Sequence, residues 1–350
     1  MNKEIIMGKR VTIQNIADSL GISRNTVSKA LNNTGVLAES TRIKILERAK
    51  EMGYKQFLYT PAQEAAADAP VREIALFTQN MPNSSHFASQ LLNTFQEKIS
   101  RERFKLSIFL IRDQEITDLR LPLGFDAEKC EGIVCIELFH CAYSRMLCSL
   151  DLPVLYIDAA AGIDFTQFCA DFLLMENSGS VYNLTDSFIR NGYRSLAFAG
   201  DIYNCQSFYE RYCGFSKALQ DADLTAATTL FQTKNAFLNS QNLCGLISAL
   251  DRLPEIFICA NDFIAIDLIR ALKKCSYRIP DDVRICGFDD SKESRIVDPP
   301  LTTVRIPSSE MGIIAADLLL SRIHMRTMPY RTTYVRTDIV YRASALLTEE

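Results

Sequence analysis

The stretch VTIQNIADSLGISRNTVSKALN, residues 11–32, decides the fold of the N-terminal part of the chain. Thr12 stands where a helix needs a cap, and Gly21 permits the turn that ends that helix. Ser23 can cap a second helix over about residues 24–31. The first helix carries its apolar residues at the spacing i, i+3, i+4 and i+7, at Ile13, Ile16, Ala17 and Leu20. The stretch therefore predicts two short helices joined by a tight turn.

A third helix is predicted over about residues 40–52. Ile43, Leu46 and Ala49 would face the core of the module, and Gly53 would end the helix. We place this small all-α module at residues 1–54.

A helix-turn-helix of this kind places the first turn of its second helix in the major groove of DNA. Arg24 could pair with guanine and Asn25 with adenine, and Lys29 could reach a base or a phosphate. The periodicity taken alone also fits an ordinary helical hairpin.

The charge of the chain is unevenly distributed. Residues 1–60 hold ten Lys or Arg and five Asp or Glu, a net charge of +5, whereas the whole chain carries −4. A basic N-terminal module on an acidic body indicates a protein of which only the module contacts phosphates.

Residues 55–71 differ in composition from both neighbours. Pro61 and Pro70 bracket an Ala-rich polar run with few apolar anchors, so we interpret this segment as a linker.

From residue 72 onward, short apolar strands alternate with amphipathic helices. The predicted strands are 74–77, 106–111, 132–136, 154–157, 196–199, 256–259 and 283–288. The predicted helices are 87–99, 178–190, 209–220, 242–250 and 262–273. This order predicts an α/β fold with parallel sheets covered on both faces, whose ligands bind beyond the carboxyl ends of the strands.

Other features exclude several classes of protein. The eleven cysteines include no C-x-x-C pair, and the three histidines lie far apart, so we expect no metal site and no cofactor. The first residues lack the apolar core of a signal peptide, and no apolar run is long enough to span a membrane. We therefore expect a cytoplasmic protein. No nucleotide-binding loop or nucleophile motif is present, which argues against an enzyme.

The N-terminal stretch resembles the headpiece of the lactose-repressor (LacI/GalR) family, whose pattern is VTI-x-x-[VI]-A-x-x-[AL]-G-[VI]-S-x-x-TVS-x-x-LN. The resemblance continues at Thr41-Arg42 and at residues 51–54. It implies that positions 24, 25 and 29 read bases and that positions 12, 23, 28 and 32 largely hold phosphates. The DNA-binding residues implied are Thr12, Ser23, Arg24, Asn25, Thr26, Ser28, Lys29 and Asn32.

The linker departs from the pattern of this family. The family's hinge has the form RPN-x-x-AR-x-L, and its Leu wedges into the minor groove. Here Gln56 replaces the Pro and Gln63 replaces the Leu. We therefore expect weaker kinking of the operator than is usual for the family.

The remainder of the chain resembles the family's core, which is similar to the type I periplasmic binding proteins. The residues that carry this resemblance are 192–194, 210–211, 214–215, 257–262, 279–283, 287–290 and 299–304. The resemblance implies two lobes, an N-lobe at about residues 72–171 and 302–331 and a C-lobe at about 172–301 and 332–350.

The resemblance also implies an effector site between the lobes. The predicted effector-binding residues are Phe87, Asp158, Ser207, Arg211, Asn261 and Asp289. Arg, Asn and Asp side chains form paired hydrogen bonds with the hydroxyl groups of a sugar. Asn261 could instead cap a helix, Arg211 could form a lobe-interface salt bridge, and Phe87 could be plain core.

The resemblance implies a repressor of carbohydrate-utilisation genes that responds to a sugar-like effector. Because one short recognition helix reads too few base pairs, we expect a homodimer on a palindromic operator. An alternative stays open, in which the chain senses a solute but has lost operator binding. The sequence does not identify the effector or the operator, nor does it separate repression from activation or a dimer from a tetramer.

Overall fold

A computed structural model describes residues 11–31, 37–52, 54, 71–81, 86–237 and 240–347. The chain divides into two compact units, Met1–Pro70 and Val71–Glu350, which we call the headpiece and the core. Except for Val71, the predicted linker lies outside the described residues. No helix in these ranges is both long and apolar enough to cross a lipid bilayer.

The described part of the headpiece contains helices α1 (Ile13–Leu20), α2 (Arg24–Leu31) and α3 (Glu39–Glu51). Thr12 caps α1 reciprocally with Asn15: the Asn15 backbone N–H donates to Thr12 Oγ1 (3.3 Å) and the Thr12 N–H donates to Asn15 Oδ1 (2.9 Å). Gly21 ends α1 in the left-handed conformation with φ at 64°. The sequence predicted these elements because caps and the glycine turn are local signals.

The hydrophobic interior of the headpiece is small. Its buried residues are Ile16, Ala17, Val27, Ala30, Ile45 and Ala49. The predicted inward face of α3 was wrong at Ile43, which is 47% exposed. Ala49 faces inward, and the residue four positions before it on the same helix face is Ile45, whereas Ile43 lies well off that face. The third helix therefore packs through Ile45, with Leu46 only half-buried.

The described part of the core contains two parallel sheets and a two-stranded antiparallel sheet, with helices between the strands. The strands are β1 (Arg72–Thr78), β2 (Phe104–Leu110), β3 (Cys130–Ile136), β4 (Val154–Ile157), β5 (Asp171–Met175), β6 (Leu196–Ala199), β7 (Ile256–Cys259), β8 (Arg284–Cys286), β9 (Thr303–Arg305), β10 (Thr332–Val335) and β11 (Asp338–Val340). The helices are α4 (His86–Arg101), α5 (Asp113–Asp118), α6 (Cys141–Cys148), α7 (Ser178–Arg190), α8 (Gln206–Asp221), α9 (Ser240–Ser248), α10 (Asp262–Lys274), α11 (Lys292–Ile296) and α12 (Ser308–His324).

The first sheet has the order β10-β5-β4-β3-β1-β2, and each of its described pairs is parallel. The second sheet has the order β6-β7-β8 and is also parallel. Strands β9 and β11 form an antiparallel pair, which is joined to the second sheet by a bridge between Cys286 and Thr302. The predicted fold class, a helix-turn-helix headpiece and a two-lobed α/β core with parallel sheets, is confirmed.

The predicted lobe boundaries were wrong by a few residues. Strands β5 and β10 pair with each other inside the first sheet, although residues 172–175 and 332–335 were assigned to the C-lobe. Strand β9 pairs with β11 beside the second sheet, although residues 302–305 were assigned to the N-lobe. The chain therefore crosses between the lobes after β5, after β9 and after β10. Strand pairing, which the sequence pattern does not reveal, decides these crossing points.

Helix α12 packs against α4 in the N-lobe at a very short distance. A Cβ atom at Gly312 would lie 2.2 Å from the Leu91 carbonyl oxygen and 2.0 Å from Thr94 Oγ1. Only glycine fits this contact, which fixes α12 on the N-lobe after the chain has left the C-lobe.

Candidate functional site

The first turn of α2 forms the exposed edge of the headpiece. Ser23 caps the helix, because its Oγ accepts from the Thr26 N–H at 3.1 Å and lies 2.8 Å from Thr26 Oγ1. Arg24 and Asn25 on this first turn are exposed, whereas Val27 in the following turn is fully buried.

The predicted DNA-binding residues divide by exposure. Thr12, Ser23, Arg24, Asn25 and Lys29 are exposed, Thr26 and Ser28 are half-buried, and Asn32 lies outside the described residues. The hydroxyl of Thr26 contacts the Ser23 cap, so this side chain also holds the helix start. A basic and an amide side chain on the first turn of an exposed helix match the chemistry of major-groove recognition.

The core contains a cavity of about 850 Å³ between its two sheets. From the N-lobe it is lined by residues that follow strands, including Gln79 after β1, Glu137 after β3 and Asp158 after β4. From the C-lobe, Asn261 follows β7 and Asp289 follows β8. The cavity thus lies at the carboxyl ends of the parallel strands of both lobes, where such sheets bind ligands. All six predicted effector-binding residues line it.

Asp158 connects the two lobes at the cavity wall. Its Oδ1 accepts from the Ala159 N–H at 2.8 Å and from the Ser207 N–H at 3.1 Å. Burial raises the pKa of Asp158, and the hydrogen bonds from Ala159, Cys205 and Ser207 lower it only in part. The carboxylate therefore positions the start of α8 against the N-lobe.

Ser207 is almost fully buried, and its hydroxyl is already engaged. Oγ donates to Met175 Sδ at 3.1 Å and accepts from Asn177 Nδ2 at 3.3 Å. Ser207 therefore shapes the wall of the cavity, while its hydroxyl hydrogen is already donated to Met175.

Arg211 projects from α8 and is 3% exposed. Its Nε donates to Asn177 Oδ1 at 2.8 Å, and its Nη1 donates to the Ala260 carbonyl oxygen at 2.5 Å. The guanidinium stacks on Phe288, with Cζ 3.5 Å from the ring centroid. Arg211 Nη1 lies 3.8 Å from Asp289 Oδ1, so the salt bridge lies within the C-lobe and does not cross the lobe interface.

Asn261 caps a helix, as the sequence analysis allowed, and its position also leaves its predicted role in effector binding open to it. Its Oδ1 caps α10 by accepting from the Ile264 N–H at 2.9 Å. The same residue lines the cavity, and its Nδ2 has no hydrogen-bond partner among the described residues. The cap orients the amide so that this donor is available to a ligand.

Asp289 stands in a conformation with φ at 124°, immediately before Asp290. Burial raises the pKa of Asp289 to about 8, while the charge of Arg211 opposes this shift and the charges of Asp262 and Glu137 add to it. Asp290 has φ at 53° and is buried against Arg295, Arg305 and Arg342. Asp290 therefore holds the loop that places Asp289 in the cavity.

Because the pKa of Asp289 is raised, Asp289→Asn should change how the free energy of unfolding depends on pH. In the unfolded chain Asp289 ionises near pH 4, whereas in the fold it stays protonated up to about pH 8, so wild-type stability falls across that window. The free energy of unfolding of Asp289→Asn, relative to wild type, should rise from pH 4 to pH 8. Urea titrations at each pH measure it, with the exposed Asp267→Asn as the control that should show no trend. A difference that shrinks with increasing pH would contradict the buried position of this carboxyl.

The aromatic side chains near the cavity differ in how much of each ring a ligand could reach. Phe87 is half-buried and lies both on the cavity wall and against the hydrophobic core of the N-lobe. Phe208 also lines the cavity, but Phe288 is fully buried beneath Arg211 and is unavailable to a ligand. Phe139, which the sequence analysis missed, lines the cavity from the loop after β3.

Two polar residues of the site were also missed. Glu137 follows β3, as Asp158 follows β4, so the rule that strand carboxyl ends form the site could have found it. Asn177 follows β5, and the sequence analysis had not predicted that strand. Its Nδ2 donates to the Met175 carbonyl oxygen and to Glu210 Oε2, both at 2.9 Å, while its Oδ1 holds Arg211.

Comparisons with known proteins agree with this architecture. Residues 12–56 match the model of bacterial regulatory proteins of the lacI family, and residues 185–345 match that of the periplasmic binding protein-like domain. The chain belongs to the lacI family of bacterial regulatory proteins. It is a DNA-binding transcription regulator with a periplasmic-binding-protein-like core, as the headpiece resemblance implied.

Among curated relatives, the HTH-type transcriptional repressor PurR of Histophilus somni (strain 2336) is 26% identical over 343 residues, covering 95% of this chain and 98% of that protein. The probable HTH-type transcriptional repressor ExuR of Bacillus subtilis (strain 168) is 28% identical over 322 residues, covering 89% and 92%. These relatives are regulators and not enzymes.

Solved structures show the same fold. A complex of the transcriptional regulator CelR with cellobiose has a TM-score of 0.66 at 22% identity and covers 96% of this chain and 100% of that one. The lac repressor dimer bound to operator and the anti-inducer ONPF has a TM-score of 0.63 at 19% identity and covers 97% and 100%.

Proposed function

We propose that this lacI-family regulator is a homodimeric repressor of carbohydrate-utilisation genes, and that a small sugar-like effector in the cavity sets its affinity for a palindromic operator. The cavity carries this proposal, because it brings together Asp158, Arg211, Asn261 and Asp289, side chains suited to hydroxyl groups. Fold neighbours with bound cellobiose, ribose and D-xylulofuranose support the ligand class.

The proposed base readers are Arg24, Asn25 and Lys29, and the proposed backbone contacts include Thr12, Ser23 and Ser28. One exposed helix of eight residues, α2, reads only a few base pairs. Two headpieces on a two-fold symmetric operator would double the length of the site, which supports the homodimer.

Effector binding and operator binding are reciprocally coupled in this proposal. Three chain segments join the lobes. In addition, the Ser207 N–H of the C-lobe donates a hydrogen bond to Asp158 Oδ1 of the N-lobe. An effector that contacts both lobes would therefore favour one lobe arrangement over another.

A gel-shift assay on duplexes selected by the full-length protein from a random pool tests the proposal. Binding to one palindromic sequence, altered by a sugar found in a thermal-shift screen, is the expected result. Failure to bind any duplex even at low ionic strength would favour the alternative, a solute-sensing protein without operator binding.

Arg24→Ala should weaken binding to the selected operator by about 1–3 kcal/mol and relax the preference at one base pair. Arg24→Lys is the matched variant, because it keeps the charge and removes the bidentate fork. We expect it to lose base discrimination while retaining its affinity for non-specific duplex. Fluorescence anisotropy on the operator and its single-base variants at fixed salt measures both effects. An equal loss on every sequence would show that Arg24 contacts phosphate and does not read a base.

A further inference from the structure

The inner wall of the effector cavity has an excess of carboxyl groups. Glu137 follows β3 in the N-lobe, and Asp289 follows β8 in the C-lobe, so the two acids enter the cavity from opposite lobes. Glu137 is half-buried, and its charge contributes to the raised pKa of Asp289. Burial also raises the pKa of Glu137, although a hydrogen bond with Asn80 opposes the shift. The two carboxyl groups therefore repel each other electrostatically when both are ionised.

The cations of the cavity do not balance this excess. Among the described lining residues Arg211 is the buried cation, and it is already engaged by Asn177, the Ala260 carbonyl oxygen and the ring of Phe288. Arg112 and Lys234 also line the cavity, but both are exposed to solvent, where their charges are screened. The inner wall thus holds three carboxyl groups, those of Glu137, Asp158 and Asp289, beside one guanidinium group, and a ligand cation would favour their ionised forms.

Aromatic rings add to the preference for positive charge. Phe87, Phe139 and Phe208 line the same cavity and are half-buried, so each keeps some surface toward it. Ring faces attract a ligand cation as well as covering the apolar side of a sugar ring.

We propose that Glu137 determines the effector class, and that the effector is a polyol carrying a basic nitrogen whose ammonium group binds between Glu137 and Asp289. This inference rests on the proposed effector site and specifies its ligand. An ammonium group donates hydrogen bonds to both carboxyl groups and favours their ionised forms, so its binding would draw the proton from Asp289. A carboxylate or phosphate on the ligand would instead be repelled by the ionised forms of these acids, and a neutral polyol would gain no charge interaction with them.

Isothermal titration calorimetry on the full-length protein at pH 7 tests the inference with three matched ligand series. The series are glucosamine, glucose and glucuronate, then galactosamine, galactose and galacturonate, then mannosamine, mannose and mannuronate. We expect at least one amine to bind about tenfold more tightly than its neutral parent, a difference equivalent to about 1.4 kcal/mol. The corresponding acid should bind more weakly than both.

Glu137→Gln should reduce the preference of that amine over its parent to less than about threefold, since the amide keeps the size of the side chain but not its charge. Glu131→Gln, on β3 and outside the cavity, should keep the full preference. An acid that binds more tightly than its amine, an amine no tighter than its parent, or no binding by any of the three amines would overturn the inference. If Glu137→Gln does not fold, the wild-type ligand series alone decides.

The calorimetry separates this inference from the proposed function because it involves no DNA. A protein that prefers the amine but shows no change in operator binding would contradict the proposed regulation and leave the ligand class standing. A protein whose operator binding responds only to a neutral or acidic sugar would support the proposed regulation and contradict the amine as the ligand class.

Discussion

Asp171→Ala is expected to lower the free energy of unfolding of the core by about 3–5 kcal/mol. The Asp171 side chain is 1% exposed and accepts from Arg322 Nε at 2.9 Å and Nη2 at 3.0 Å. It also accepts from the Arg331 backbone N–H at 2.8 Å and from Arg331 Nη2 at 3.1 Å. The alanine variant leaves the buried guanidinium of Arg322 without its counter-charge, and the cost of that uncompensated charge is the reason for the large effect.

Urea denaturation of the full-length protein measures this effect. Asp267→Ala is the matched control, because Asp267 forms an ion pair with Arg270 at 3.1 Å in which both side chains are exposed. Such a surface pair contributes at most about 1 kcal/mol. If the two variants lose similar amounts of stability, the buried cluster does not hold the N-lobe together.

The same cluster predicts how stability responds to acid. Burial raises the pKa of Asp171, but the hydrogen bonds from Arg322 and Arg331 outweigh it and hold the pKa below its ordinary value. A lowered pKa contributes stability that is present above about pH 4 and is lost as the pH falls through the folded-state value. Asp171→Ala should therefore be less sensitive to acid than wild type in that range.

Arg211→Met is expected to weaken effector binding by about 100-fold or more, equivalent to about 2.7 kcal/mol. The substitution removes a buried donor group and also releases Asn177 and the Ala260 carbonyl oxygen, which Arg211 holds at 2.8 Å and 2.5 Å. The fold should survive better than in Asp171→Ala, because burial already favours the protonated form of Asp289, which is neutral without its partner.

Calorimetry with any compound that binds wild type measures the loss, and a gel shift without effector checks that DNA binding persists. Arg270→Met, on the exposed face of α10, is the control and should bind the effector normally. Effector affinity of Arg211→Met within about threefold of wild type would remove Arg211 from the site.

The sequence predicted well those features that depend on neighbouring residues. The caps at Thr12 and Ser23 and the turn at Gly21 are set by local hydrogen bonding and backbone conformation, and the structure places them as expected. Continuous apolar runs such as β4 and β7 were found for the same reason. The six predicted effector-binding residues, all of which line the cavity, came from the resemblance to a family, since periodicity could not have selected them.

The features that the sequence analysis did not predict share one physical cause, because each depends on contacts between separate segments of the chain. The run at β5 was not predicted as a strand, and its place between β4 and β10 is decided by pairing with a segment about 160 residues later. Ile43 and Ile45 are equally apolar, and only packing against α1 and α2 selects the second for the core.

The sequence by itself determined the helix-turn-helix, the parallel α/β core and the family, because these depend on local propensity, hydrophobic period and motif order. Only the tertiary structure decided where the chain crosses between the lobes, that Arg211 pairs within its own lobe, and that Glu137 and Asp289 line the same cavity from opposite lobes. Those features depend on which distant strands become neighbours, and the electrostatics of the site follow from that proximity and from the exclusion of water.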